Sequence, residues 1–146
     1  MGVESPLIHD GAQCILGFDA RNSTFTGTTL PGPSGSGQFL AVALGSTNRS
    51  LALAITSTRI YGILQNKGST GQVADVGIFG ISKAVCATTA AISASGTQLM
   101  CSTVGTMIAY SSASGAVPVG VNITSAAAGE VFTMALYGFG QGSPGT

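Results

Sequence analysis

Residues 61–82, YGILQNKGSTGQVADVGIFGIS, decide how this chain is read. Tyr61, Ile63 and Leu64 form a short apolar run, and Asn66, Lys67, Gly68, Ser69, Thr70 and Gly71 follow as a cluster of turn formers. Val73, Val76, Ile78, Phe79 and Ile81 then make a longer apolar strand, punctuated by Gly77 and Gly80. This is strand, turn, strand, and the chain writes it twice. Residues 119–140, VGVNITSAAAGEVFTMALYGFG, repeat the layout at one offset (120 − 62 = 58). Gly62 answers to Gly120, Gly71 to Gly129, Val73 to Val131 and Gly80 to Gly138. Ile63/Val121, Val76/Met134, Ile78/Leu136, Phe79/Tyr137 and Ile81/Phe139 stay apolar at the same spacing. Glycines recurring in register predict the same turns used twice, since glycine reaches positive φ without steric cost. The competing account is chance alignment of Gly- and Ala-rich strands. Two copies fall short of a solenoid array in either case.

Outward from that stretch the text stays strand-like. Residues 39–44 are apolar, residues 45–48 form a turn, and Leu51, Leu53 and Ile55 alternate with small residues in the period of a strand. Residues 83–87 continue the strand, residues 90–96 make a small-residue turn, and residues 99–102, 107–110 and 117–123 read as short strands. No segment sustains a helical apolar stripe. The expected fold is all-β: an antiparallel sandwich or barrel, of β-tulip-like form, over residues 38–140. Residues 1–37 are expected to be an extended arm holding at most one strand (around the apolar run 14–18), closed by the hinge-like loop LPGPSGSG. Residues 141–146 read as a flexible tail.

Composition narrows the function. The chain has 146 residues, enough for one domain with a real core. Charged residues make up only 7%, five basic against five acidic, where an average soluble domain carries about 25%. A surface so poor in charge has little self-repulsion and is expected to be covered by partners. Arg21, Arg49, Arg59, Lys67 and Lys83 are scattered, which argues against nucleic acid. No apolar run approaches the ~18 residues of a membrane-spanning helix, and the N-terminus lacks the pattern of a signal peptide.

The inventory for catalysis is thin. His9 is the one histidine, and its neighbour Asp10 points the other way in an extended segment. Glu4, Asp10, Asp19, Asp75 and Glu130 show no spacing that brings two carboxylates onto one bond. Cys14, Cys86 and Cys101 are odd in number and widely spaced, so they read as buried apolar groups rather than a disulfide or zinc framework. The glycines at 32, 35 and 37 and at 138, 140 and 142 lack the Gly-Lys-Ser/Thr ending of a phosphate loop. Asn22, Asn48 and Asn122 open glycosylation sequons that read as polar turn residues. The expectation is a protein without catalytic residues, cofactor or metal. Most aromatics sit at strand positions and are expected in the core; Phe18, Arg21 and Phe25, in the arm, are the candidate partner contacts.

Beyond this reading, Gly62, Ile63, Leu64, Gln65, Asn66 and Lys67, then Gly71, Gln72, Gly80, Ile81, Ser82 and Lys83, follow an ordered block. Ile92, Gly96, Leu99, Gly105, Gly120, Val121, Ala126, Gly129, Glu130 and Leu136 continue it. This order resembles the capsid decoration, or cement, proteins of tailed bacteriophages over residues 58–140. The resemblance implies a small β-rich virion protein on the outer capsid surface, binding major capsid protein subunits and stabilising the shell as a homotrimer. Two other classes compete: a tail, spike or fibre component of the virion, and a β-barrel ligand-binding module.

Overall fold

In the computed structural model the chain is described over residues 13–19, 37–46, 50–56, 59–67, 73–112 and 115–137. Nine strands run in chain order: β1 Gln13–Asp19, β2 Ala41–Leu44, β3 Leu51–Leu53, β4 Gly62–Leu64, β5 Val73–Val85, β6 Gln98–Cys101, β7 Met107–Ala109, β8 Gly120–Asn122 and β9 Val131–Leu136. All pair antiparallel, in the order β3-β2-β4-β5-β9-β8-β6-β7, with β1 added to β5. The fold is all-β, a curled antiparallel sheet of half-barrel form. Of the expected arm, residues 13–19 supply β1; the other residues of 1–36 and the tail 141–146 lie outside the described residues.

The pseudo-repeat is real in the backbone. β4 and β5 recur as β8 and β9 at the offset of 58, and the registers coincide: Ile63↔Gly77 and Leu64↔Val76 answer to Val121↔Ala135 and Asn122↔Met134. β2 and β3 recur as β6 and β7 at slightly shorter offsets (98 − 41 = 57; 107 − 51 = 56). Loop bonds follow suit. Gln65 N–H donates to Asp75 O, as Ile123 N–H does to Thr133 O; Tyr61 N–H donates to Val42 O, as Val119 N–H does to Leu99 O. Even the side chains that pin the strand starts correspond, since Asn66 Oδ1 accepts from Asp75 N–H and Thr124 Oγ1 from Thr133 N–H. The strand order is therefore two four-stranded units joined across β5 and β9.

Of the repeated glycines, Gly80 has the positive φ that their pattern predicts (90°), but the pair Gly62 and Gly120 serves a different end. Gly62 and Gly120 lie inside strands, where a Cβ would stand 2.4 Å from Gly77 O and 2.2 Å from Ala135 O respectively. They are required by close approach of the neighbouring backbone. Gly129 does turn the chain at positive φ (82°).

One long strand serves two cores. Ala74, Val76 and half-buried Ile78 pack with Leu40, Val42, Leu51 and Leu64, whereas Ala84 and Cys86 pack with Ile63, Leu99, Phe132 and Met134. Even-numbered residues of β5 thus change faces partway along it. The register explains this: Gln13 opposes Gly80 and Ile15 opposes Gly77, so β5 carries one extra residue there. Gly80 follows at φ 90°. A bulge of this kind reverses the alternation that a regular strand keeps. As a result Val76 and its counterpart Met134 sit in different clusters.

The β6–β7 hairpin closes the curl. Val104 and Gly105 both have positive φ (51° and 76°), a twist that suits a two-residue hairpin turn. Gly105 N–H donates to Ala54 O, Met107 bridges Cys86, and a Cβ on Gly105 would lie 2.6 Å from Ala41 O. Two sequence expectations change here. The alternation of Leu51, Leu53 and Ile55 breaks: β3 ends at Leu53, Ala54 is buried and Ile55 is exposed. Phe39, expected on a core strand, precedes β2 and is only half-buried.

Candidate interaction surface

The outward face of β5, β9 and β8 is built by the pairing itself. Ile81 opposes Ala135, and Ala135 opposes Val121, so these three side chains form one row across the sheet. One step along, Lys83 opposes Thr133. The inward residues of the same strands, Ala84, Phe132, Met134 and Leu136, fill the core. Outside, Ile81 keeps 47% of its surface exposed, and Ile123, Tyr137 and Val131 are exposed around it. Four of the seven large exposed apolar side chains of the described residues thus share one region.

A shallow, open depression of about 370 Å³ borders this row, lined by Phe39, Gln65, Ile81, Ser82, Lys83 and Thr133. Its floor is held by polar contacts. Gln65 Nε2 donates to Ser82 Oγ (3.0 Å) and to Ile63 O (2.9 Å), Ser82 Oγ donates to Lys83 O (3.0 Å), and Gln38 Nε2 donates to Gln65 O (2.7 Å). Ser82 is buried, and these bonds satisfy its hydroxyl. Lys83 Nζ lies 5.9 Å from the centroid of the Phe39 ring, within cation–π range.

Phe39 has φ 67°, a region a bulky side chain rarely adopts. At the β6 offset its counterpart is Gly96, with φ 79° and open space where a Cβ would be. The backbone bonds match too: Phe39 N–H donates to Leu64 O, and Gly96 N–H to Asn122 O. The chain therefore carries an aromatic ring at a position whose backbone suits glycine. That ring packs against both buried clusters and supports Lys83.

Of the residues singled out in the sequence, Phe18 lies on β1 in register with Ala74. Arg21, Phe25, His9 and Asp10 lie outside the described residues. Sequence reasoning missed Phe39, Ile81 and Lys83 as surface residues. The alignment of Phe39 with Gly96 was the available signal. Asn122 is buried and bonded through both ends of its amide, accepting from Thr97 N–H (2.7 Å) and donating to Ala94 O (2.8 Å) and Thr124 O (3.2 Å). Cys86 and Cys101 are free and buried. Burial pushes both thiols up, that of Cys101 to about 12, which keeps them protonated and unreactive. Among the described residues no three His, Cys, Asp or Glu side chains gather into a metal-binding group, and no helix is long and apolar enough to cross a membrane.

What the fold defines is a class: a curled, two-unit antiparallel β-domain with an apolar outward sheet face. No protein-family model and no curated protein matches the chain. Among solved structures it is similar to the one described as the crystal structure of head fiber gp8.5 N base in bacteriophage phi29. The TM-score is 0.56 at 13% identity, covering 85% of this chain and 93% of that one. At this identity the likeness is one of fold.

Proposed function

We propose that this chain is a non-catalytic structural protein of a phage virion, one that sits on the outer capsid surface, binds major capsid protein subunits and stabilises the shell. The observation that carries the reading is the fold held in common with a phage head-fibre base over nearly the whole of that chain. The sequence resemblance to decoration proteins over residues 58–140 points the same way by an independent route. A nearly uncharged chain with an apolar sheet face suits a protein whose working state is bound. Modest affinity per site is sufficient, because many copies act on one shell. In this reading the protein works as a homotrimer, with no nucleic acid or membrane as partner.

The head-fibre neighbour also favours a second reading, in which the chain is the base of a fibre. Co-sedimentation with expanded, DNA-free capsids of the source phage tests both. A decoration protein saturates the shell at a fixed ratio to capsid protein; a fibre base saturates at a small number of copies per shell. A chain that stays in the supernatant at every capsid concentration refutes both.

A further inference from the structure

We propose that the outward face of β5, β9 and β8, centred on Ile81 and Lys83, is the surface that seats on a capsid subunit, which meets it with apolar side chains and a carboxylate placed over Lys83. This rests on the decoration reading above and assigns the contact surface within it.

Three observations carry the assignment. The first is the concentration of exposed apolar groups: Ile81, Ile123, Val131 and Tyr137 surround the half-buried row of Ala135 and Val121. Exposed apolar area gathered on one face, with a polar margin, marks an interaction site rather than scattered surface residues. The second is internal to the fold. Val121 and Ala135 are the counterparts of Ile63 and Gly77, which are buried, Ile63 in one core cluster with β6, β7 and β9 residues of the second unit. The same face is therefore buried in one unit and partly exposed in the other. The third is charge. Lys83 is the charged residue beside the row, and among the described residues no carboxylate pairs with it; its contact is the Phe39 ring. A partner that covers this face must satisfy the ammonium, and an acid does so with the strongest hydrogen bonds. The positive-φ backbone of Phe39, where the other unit has glycine, holds the ring that positions this cation.

The test uses the full chain and expanded, DNA-free capsids in co-sedimentation, with Ile81→Glu, Lys83→Glu and Lys83→Arg, and with Leu44→Glu as a control at a more exposed apolar residue, at the far end of β2. Far-UV circular dichroism and melting establish that each variant is folded, which is expected because Ile81, Lys83 and Leu44 are all exposed. The expected result is a loss of capsid affinity of more than tenfold for Ile81→Glu and about tenfold for Lys83→Glu, with Lys83→Arg and Leu44→Glu close to the parent chain. Equal binding by all variants overturns this inference and leaves the decoration reading standing. Normal capsid binding by Ile81→Glu and Lys83→Glu together with a changed oligomeric state also overturns it, because the face would then lie between copies of the chain. A parent chain that does not bind capsids overturns the decoration reading, and this assignment with it.

Discussion

Adding one methyl group at Gly120 or Gly62 drives it into the backbone of the adjacent strand. At Gly120 an ideal Cβ lies 2.2 Å from Ala135 O and 2.7 Å from Met134 Cε; at Gly62 it lies 2.4 Å from Gly77 O and 2.5 Å from Val76 Cγ1. The side-chain carbons can rotate aside. The carbonyls cannot, because they belong to β9 and β5 at ladder positions Val121↔Ala135 and Ile63↔Gly77. Reaching an ordinary contact requires the strands to part by about 1 Å. Overpacking of that kind costs about 1–3 kcal/mol, and the upper end applies where backbone must move. For a chain of this length each kcal/mol lowers Tm by about 2–4 °C, so a fall of roughly 6–12 °C is expected for each variant. Gly96→Ala is the comparison: φ is 79° but nothing lies within 4 Å, so only the conformational term of about 1–2 kcal/mol remains. Thermal melts followed by circular dichroism separate the two. Gly62→Ala and Gly120→Ala melting within about 2 °C of the parent chain, or above Gly96→Ala, would refute the close-approach reading of the repeated glycines.

Phe39 should invert the usual order of small residues: Phe39→Gly is expected to be more stable than Phe39→Ala by about 1 kcal/mol, because alanine keeps the disfavoured φ of 67° and glycine does not. Both are expected below the parent chain through lost ring packing, and urea unfolding measures the order. Asn122→Leu places in the second unit the residue that the first unit has at Leu64. It leaves the Thr97 amide and the Thr124 carbonyl without their partner, and the Ala94 carbonyl with only the Thr97 hydroxyl, a loss of about 2–3 kcal/mol, read as faster hydrogen exchange at Thr97 and a lower urea midpoint. Cys101 predicts a pH dependence. Its thiol is pushed up to about 12 in the fold from an ordinary 9.0, so the unfolded chain loses the proton first. Stability is then complete below pH 9 and falls by about 1.4 kcal/mol per pH unit between 9 and 12. The difference between parent and Cys101→Ala in urea melts at pH 8 and pH 10 isolates this contribution, and an equal pH slope in both would refute it.

Much of the fold was legible because antiparallel strands leave a local record. The strand–turn–strand text of residues 61–82, its echo at 119–140 and the turn formers between apolar runs predicted β4, β5, β8 and β9 with their common offset. The candidate surface was not legible in the same way. Ile81 reads as one more apolar strand residue, and Lys83 as a solvated charge, until it is known which side of β5 faces the core.

That side is set by tertiary structure. Alternation along a strand has a period of two, so the sequence can state that residues 74, 76 and 78 share a face but not where the alternation reverses. The bulge opposite Cys14 and the positive φ of Gly80 reverse it, and their position depends on β1, a strand distant in the chain. With the reversal in place Ala84 turns inward and Ile81 and Lys83 turn out. The sequence by itself determined an all-β chain, poor in charge, with two related hairpins, because composition and short-range spacing are properties of neighbouring residues. Which glycines answer to a close backbone, which unit of the repeat keeps a partly exposed face and why Phe39 accepts a glycine-like backbone were decided only when strands far apart in the chain came into register.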